Sequence, residues 1–293
     1  MKSFPFIENL TLIGVGLIGG SFALDLKRAG LAGRVCGIDL SPDNLERALE
    51  RGVIDEAFTE ISAQSIADTG LIMIATPVAS LEAVCNAVKP FLSPSVLITD
   101  VGSTKQSAVE AFRRTLPEHL PRCIAAHPIA GSDRSGATAA QFSLYQDKKL
   151  IITPHGAESP DALRTVESLW QAVGAQTFLM DAAEHDAVFA AVSHLPHLAA
   201  FAYVHQLSDH PQGKHYLDFA GTGFRDFTRI ASSHPAVWAD ICLANRHSLT
   251  KLIADMQNQL AEVKTLLEQN DRNALYRYFD TAKQTRDRWL ENQ

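Results

Sequence analysis

The sequence predicts an α/β fold in two parts, a strand–helix alternation over residues 1–180 followed by an all-helical part over residues 181–293. Three observations carry this. An apolar run beginning at Leu10 ends in Gly14, Gly16 and Gly19 and passes without a break into a helical pattern. Further runs, apolar along their whole length, alternate with helical runs as far as Met180; such strands belong to a parallel sheet covered on both faces. From Asp181 onward no strand pattern occurs. The first part therefore reads as an N-terminal Rossmann-type dinucleotide-binding domain.

In the opening stretch, LTLIGVGLIGGS at residues 10–21, each glycine has its own task. Gly14 permits the turn, Gly16 lets the backbone approach a pyrophosphate, and Gly19 lets the helix pack close on the strand. Leu17 and Ile18 lie at the helix start, whose free N–H groups face the anion. The second strand, residues 35–38, supplies the context that a bare glycine motif lacks. It ends at Asp39, twenty residues past Gly19, where a carboxylate accepts hydrogen bonds from an adenosine ribose and repels a 2′-phosphate. NAD is thus favoured over NADP. A plainer role for Asp39 is to cap the turn before Ser41-Pro42-Asp43.

Next come a polar helix at 44–51 closed by Gly52, a strand at 71–75 ending in Thr76-Pro77, a helix at 81–88 and a strand at 95–99 leading into DVGSTK at 100–105. Ligands of such sheets lie beyond the carboxyl ends of the strands, so Thr76, Pro77 and Ser103 border the crevice. A helix near 105–115, a strand at 122–126, the loop HPIAGSDRSG at 127–136, a strand at 149–153, a helix at 161–173 and a strand at 177–180 complete the first domain. Asp181 with Glu184 reads as a capping box opening a long helix. Further on, Trp238, Cys242, Leu249, Leu252, Met256, Leu260, Val263 and Leu267 form an apolar stripe interrupted at Asn245. A stripe this long is hard to cover within a small helical domain, which favours a homodimer seam over packing within one chain.

Composition narrows the classes of partner. A chain of 293 residues with 46% hydrophobic and 20% charged residues has the make-up of a soluble globular protein of one or two domains. Its net charge of −7 comes without a basic block, which argues against nucleic acid or anionic membrane as the main partner. Cys36, Cys85, Cys123 and Cys242 show no metal or redox spacing and read as small buried hydrophobes in a reducing compartment. The N-terminal residues, with Pro5, lead almost at once into a strand, so no signal peptide is expected. The apolar stretch 187–204 contains Ser193, His194, Pro196 and His197, a poor membrane span. A cytoplasmic location is the expectation.

Four polar clusters stand where this fold places its chemistry. Ser103 can donate to a substrate or cap the following helix. His127, at a strand's carboxyl end, is placed to accept a proton near neutral pH. His194 and His197, three apart, raise the question of a metal, but no Asp, Glu or Cys stands beside them at helical spacing to complete a ligand set. Anion or carbonyl recognition fits them better. In the segment 221–238, Arg225 and Arg229 suit carboxylate recognition, with Asp226 able to hold the Arg229 guanidinium. Trp238 can wall off a pocket or fill the helical core.

With GVGLIGGS, DVGSTK, HPIAGSDRSG, EHDAVFAAVSHLPH and GFRDFTRIASSHPAVW in this order, the chain resembles the prephenate and arogenate dehydrogenases of tyrosine biosynthesis along nearly its whole length. The resemblance implies an NAD-binding domain, a helical dimerisation domain, and oxidative decarboxylation of prephenate, arogenate or both. His127 then matches the catalytic histidine and Ser103 the serine that bonds both that histidine and the substrate hydroxyl. Arg229, oriented by Asp226, matches the arginine that binds a substrate carboxylate, and His197 with His194 lines the side-chain end. No metal is implied, because aromatisation drives loss of carbon dioxide. Asp133 departs from the glutamate that prephenate-preferring members carry, and an acid there could attract the ammonium of arogenate. With the chain stopping at Gln293, any tyrosine inhibition is expected at the active site. The alternatives are a β-hydroxyacid-type dehydrogenase, which would place a lysine in the helical domain, and a non-catalytic NAD-binding protein.

Overall fold

The computed structural model describes residues 4–131 and 134–292. Its sheet has eight strands: β1 (Ile7–Ile13), β2 (Ala32–Ile38), β3 (Glu56–Phe58), β4 (Leu71–Ile74), β5 (Leu97–Asp100), β6 (Cys123–Pro128), β7 (Lys149–Thr153) and β8 (Gln176–Leu179), in the order β3-β2-β1-β4-β5-β6-β7-β8. Five helices accompany it: α1 (Leu17–Arg28), α2 (Pro42–Glu50), α3 (Leu81–Val88), α4 (Gln106–Thr115) and α5 (Pro160–Ala172). Residues along β4 alternate between two cores. Leu71 and Met73 join the one that holds Phe22, Tyr145 and Trp170, while Ile72 and Ile74 join the one that holds Cys85, Phe112 and Cys123. Burial on both faces is why the strand is apolar at every position.

Two features depart from the sequence reading. All neighbouring strands are parallel except β6 and β7, which pair antiparallel from Ala125 opposite Thr153 to Pro128 opposite Leu150. Among the described residues between them the helical structure is the short 3-10 turn Ala137–Ala139, with no crossover helix such as a parallel return would require. The edge strand β3 was not anticipated, since three residues are too few to show a period.

The glycine loop behaves as its spacing demands. Gly14 has φ +89°, and a Cβ there would lie 2.6 Å from the Ala75 carbonyl oxygen. At Gly19 a Cβ would come within 2.4 Å of Leu12 Cδ1, so α1 can sit on β1 only because none is present. Beside Gly16 the space is open, and no side chain caps α1.

Beyond the sheet, α6 (Ala182–Phe189), one π-turn (Ala190–His194) and α7 (Leu195–Ser208) form a continuous helical run, followed by α8 (Gly213–Asp218), α9 (Thr222–Thr228), the 3-10 turn Arg229–Ser232 and α10 (Pro235–Ala244). Asp181 opens α6 by accepting from the N–H groups of Ala183 and Glu184. Ser193, His194, Pro196 and His197 do not interrupt the run. By length and mean hydropathy, 1.5 in its most apolar window, residues 182–208 match a membrane span, yet the polar residues of α6 are committed to the sheet domain, as described below.

The chain divides into two compact units, Met1–Asn245 and Arg246–Gln293. The second is a helical hairpin of α11 (Arg246–Glu268) and α12 (Arg272–Glu291). Asp271 caps α12 through the Ala274 N–H, and the Tyr278 hydroxyl donates to Gln259 across the pair. The expected stripe from Trp238 to Leu267 is thus carried by two helices that meet at Asn245, with Met256, Leu260 and Leu267 exposed.

Gly14→Ala should destabilise the fold by about 2 kcal/mol or more, the cost of a left-handed backbone for an L-residue plus the contact with Ala75. Chemical denaturation of the variant beside the parent chain checks this.

Candidate active site

The carboxyl ends of β1, β4, β5 and β6 open on one edge of the sheet, and the loop after β5 is fastened there by buried charge. Asp100 ends β5 and Lys105 precedes α4; both are inaccessible to solvent. The Lys105 ammonium donates to the Asp100 carboxylate and to the Ala126 carbonyl at 2.7 Å, while that carboxylate accepts from Gly102 N–H at 2.8 Å and Ala126 N–H at 3.2 Å. Ala126 immediately precedes His127, so this pair fixes the strand end that carries the histidine.

The N-terminus of α4 is capped from far away in sequence. The Asp186 carboxylate, on α6, accepts from the N–H groups of Lys105 at 2.7 Å and Gln106 at 3.0 Å. Ser103 does not cap the helix: Asp186 already satisfies the donors at the helix start, which a remote carboxylate serves better because of the helix dipole. Burial works to raise the Asp186 carboxyl, but hydrogen bonds from His185, Lys105 and Gln106 outweigh it and hold it below the ordinary carboxylate value.

Next to Asp186, His185 is fully buried. Its Nδ1 lies 2.8 Å from Asp186 Oδ1, and its Nε2 lies 2.9 Å from His127 Nδ1. A carboxylate only accepts, so His185 Nδ1 carries the proton and, in the neutral ring, Nε2 accepts from His127 Nδ1–H. The second nitrogen of a neutral His127, Nε2, is then left with a bare lone pair. Close packing pushes His127 well below the ordinary imidazole value, with His185, Lys105 and His194 adding to the effect, although the residue is only half-buried. The Phe189 ring stands edge-on to His127 at 5.0 Å and tilted over His185 at 4.5 Å. No hydrogen bond joins Ser103 to His127 among the described residues; His185 takes the Nδ1 position.

A second histidine is set by the same helix. Asn245 donates through Nδ2 to the Asp186 carbonyl at 2.7 Å and approaches His194 Nδ1 at 3.2 Å. The carbonyl fixes which way the amide faces, so His194 Nδ1 accepts and its Nε2 carries the proton. Burial lowers His194 to about 4. His197 donates through Nδ1 to the Ser193 carbonyl at 2.9 Å and stacks on Trp238 with ring centroids 3.8 Å apart. Trp238 therefore clamps His197 as well as standing edge-on to His194, and its helix α10 packs against the turn Val78–Ser80 that follows β4.

The arginine cluster lies on α9 and the turn after it. Arg229 opens a 3-10 turn packed on α7, the helix of His197. Asp226 stands on α9 just before that turn, and both residues are exposed. Arg225 is exposed on α9. Asp133 lies outside the described residues.

On the nucleotide side, Asp39 carries more bonds than expected. Its carboxylate accepts from Val15 N–H and Ser41 N–H, each at 3.0 Å, and from Asn44 Nδ2 at 3.1 Å. Asn44 also donates to the Val15 carbonyl and accepts from Ala137 N–H, joining the glycine loop, the β2 end and the loop before β7. Capping of the turn thus coexists with one lone pair, on Oδ1, left over for a ribose hydroxyl. Leu17 points its side chain into the core, half-buried Ile18 accepts from the Tyr145 hydroxyl, and Pro77 opens the turn Val78–Ser80. Among the described residues the buried Thr76 hydroxyl has no hydrogen-bond partner, and it lines a cavity of about 10 Å³ with Asp100, Gly102 and Thr104. A glycine loop open at Gly16, an uncapped helix start, a carboxylate at the end of β2 and an unsatisfied hydroxyl after β4 fit a dinucleotide.

A Rossmann-type sheet with a histidine at its carboxyl edge and a following helical segment is the arrangement of a dinucleotide-dependent dehydrogenase. Residues 22–179 match the family model described as prephenate dehydrogenase, nucleotide-binding domain, and residues 181–281 match prephenate dehydrogenase, dimerization domain. A prephenate dehydrogenase of Bacillus subtilis is 37% identical over 283 residues, covering 96% of this chain and 76% of that protein. A cyclohexadienyl dehydrogenase of Zymomonas mobilis is 29% identical, covering 95% of each. The prephenate dehydrogenase of A. aeolicus, solved with hydroxyphenyl propionate and NAD+, superposes with a TM-score of 0.91 at 34% identity, covering 98% of this chain and 99% of that one. The chain belongs to the prephenate/arogenate dehydrogenase family of NAD-dependent oxidoreductases in tyrosine biosynthesis. The hydroxyacid-dehydrogenase and non-catalytic alternatives are set aside.

Sequence reasoning missed His185, Asp186, Asn245, Asn44 and the Asp100–Lys105 pair. The signal for the first two was present, since a His-Asp pair opening an otherwise apolar helix needs buried partners.

His194 gives the fold an acid-sensitive element. Its folded value of about 4 lies below the unfolded 6.5, so between these pH values the unfolded chain binds more protons and stability falls with pH, by up to about 3 kcal/mol. Urea unfolding between pH 7 and pH 4 should show this decline, and His194→Gln should flatten it.

Proposed function

We propose that His127 is the general base of this enzyme, acting through Nε2 on the ring hydroxyl of prephenate, arogenate or both. The observation that carries this is the chain Asp186–His185–His127, which leaves that nitrogen unprotonated at the crevice edge. A dinucleotide bound on the glycine loop supplies the hydride acceptor. Ser103, half-buried beyond β5 and without a hydrogen bond of its own among the described residues, can donate to the substrate hydroxyl. His194 offers an Nε2–H to a carboxylate or carbonyl, His197 is held by Trp238, and Arg229 supplies a guanidinium for a substrate carboxylate. Asp133 bears on arogenate use through its negative charge. Asp39 favours NAD over NADP because a 2′-phosphate would meet its carboxylate.

The exposed apolar residues of α11 and α12 support a homodimer, and free thiols at Cys36, Cys85, Cys123 and Cys242 support a reducing, cytoplasmic setting. Competition by tyrosine at the substrate site follows from its likeness to the aromatised product.

The deciding assay is the initial rate of NADH formation with prephenate and with arogenate offered separately. Turnover of at least one is expected, and turnover of neither, with NAD bound, overturns the reading. His127→Asn should lower kcat by about 10²- to 10⁴-fold while NAD affinity is kept. Asp39→Ser should raise the use of NADP relative to NAD, read as the ratio of the two kcat/KM values.

A further inference from the structure

A base that receives a proton must then carry a charge, and His127 is a poor place for one. Its surroundings push the imidazole well below the ordinary value, and burial is the largest cause. Burial lowers the adjoining His185 as well, but its hydrogen bond to Asp186 works against that and raises it. It is the imidazole in direct contact with a carboxylate, 2.8 Å from Asp186, and the Phe189 ring lies against both histidines.

The charges that face the pair decide where a proton rests. Lys105 and Asp100 both act on His185, and they form an ion pair with each other, so their effects oppose. His194, lowered by burial to about 4, is neutral near pH 7. Among the described residues that face the histidines, Asp186 is then the charge with no opposite charge paired to it, and it adjoins His185. It cannot turn away, because the N–H groups of Lys105 and Gln106 hold both of its oxygens. The helix N-terminus keeps it ionised.

We propose that His185 is a positioning residue that relays the proton: as His127 Nε2 takes the substrate's hydroxyl proton, the proton on His127 Nδ1 passes to His185 Nε2. This rests on His127 being the base. The substrate O–H bond breaks and an N–H bond forms at His127 Nε2; the His127 Nδ1–H bond breaks and an N–H bond forms at His185 Nε2. The oxygen's electron pair becomes the new C=O bond as hydride leaves the same carbon for the dinucleotide. When carbon dioxide departs, its bonding pair flows through the ring to that oxygen. The oxygen then regains the proton as the two transfers reverse. His127 stays neutral throughout, and the imidazolium forms beside Asp186.

His185→Gln separates relay from orientation, since a glutamine oxygen can still accept from His127 Nδ1–H but cannot take its proton. The expected result is a plateau kcat lower by about 10- to 100-fold, little change in KM, and an acid limb of kcat/KM moved to lower pH, because His127 must then hold the charge alone. A wild-type plateau with an unmoved limb overturns the relay. A second measurement needs neither substrate nor a variant: ¹⁵N NMR of histidine-labelled wild-type enzyme through an acid titration. The pair takes up its first proton as a unit, and the relay requires the imidazolium pattern to develop at His185, with His127 changing from the Nδ1–H to the Nε2–H form. An imidazolium pattern at His127 with His185 neutral overturns it, even if His185→Gln fails to fold. Failure of the substrate assay alone would reject the assigned reaction and leave this titration to decide the relay.

Discussion

The interaction on which this structure depends is the Asp186 carboxylate at the start of α4. A buried carboxylate costs several kcal/mol to desolvate, and here two backbone N–H groups, a helix dipole and an imidazole offset that cost together. Each partner is thereby fixed in turn. α6 is docked on the sheet domain, the Nδ1 proton of His185 is assigned, and the free nitrogen of His127 follows. Through its main-chain carbonyl the same residue orients Asn245 and so the tautomer of His194. Three histidines, His185, His127 and His194, thus take their protonation pattern from one acid.

A buried ion pair sets the other side of the frame. Lys105 and Asp100 join the ends of β5 and β6 through the Ala126 backbone. Lys105 lends its side chain to this pair and its backbone N–H to Asp186. The loop DVGSTK is therefore held at both ends, which leaves Ser103 between them on a rigid support. Reaction geometry of this kind gains from groups that need no rearrangement when charge develops.

Much of this was legible in the sequence because its causes are local. The tasks of Gly14 and Gly19 were readable from spacing, since a left-handed turn and a close helix contact each exclude a side chain. Apolar runs gave the parallel strands for the same reason that β4 feeds two cores. The antiparallel β7 escaped notice because its direction is set by what the intervening loop lacks. The roles of Asp186 and Asn245 were out of reach because their partners lie 81 and 59 residues away. Spacing suggests Ser103 as the cap of α4, but a remote acid takes that place.

The π-turn at Ala190–His194 also does the work of a phase shifter. A π-turn is in effect one residue added to an α-helix, and it rotates everything after it by about 100° relative to what came before. Upstream of it, His185 and Asp186 face the sheet domain; downstream, His197 faces Trp238. One helical run can in this way serve two walls of a cleft that a regular helix could not address in the same register. The apolar character of the run hides this shift, because the register changes while the hydropathy does not.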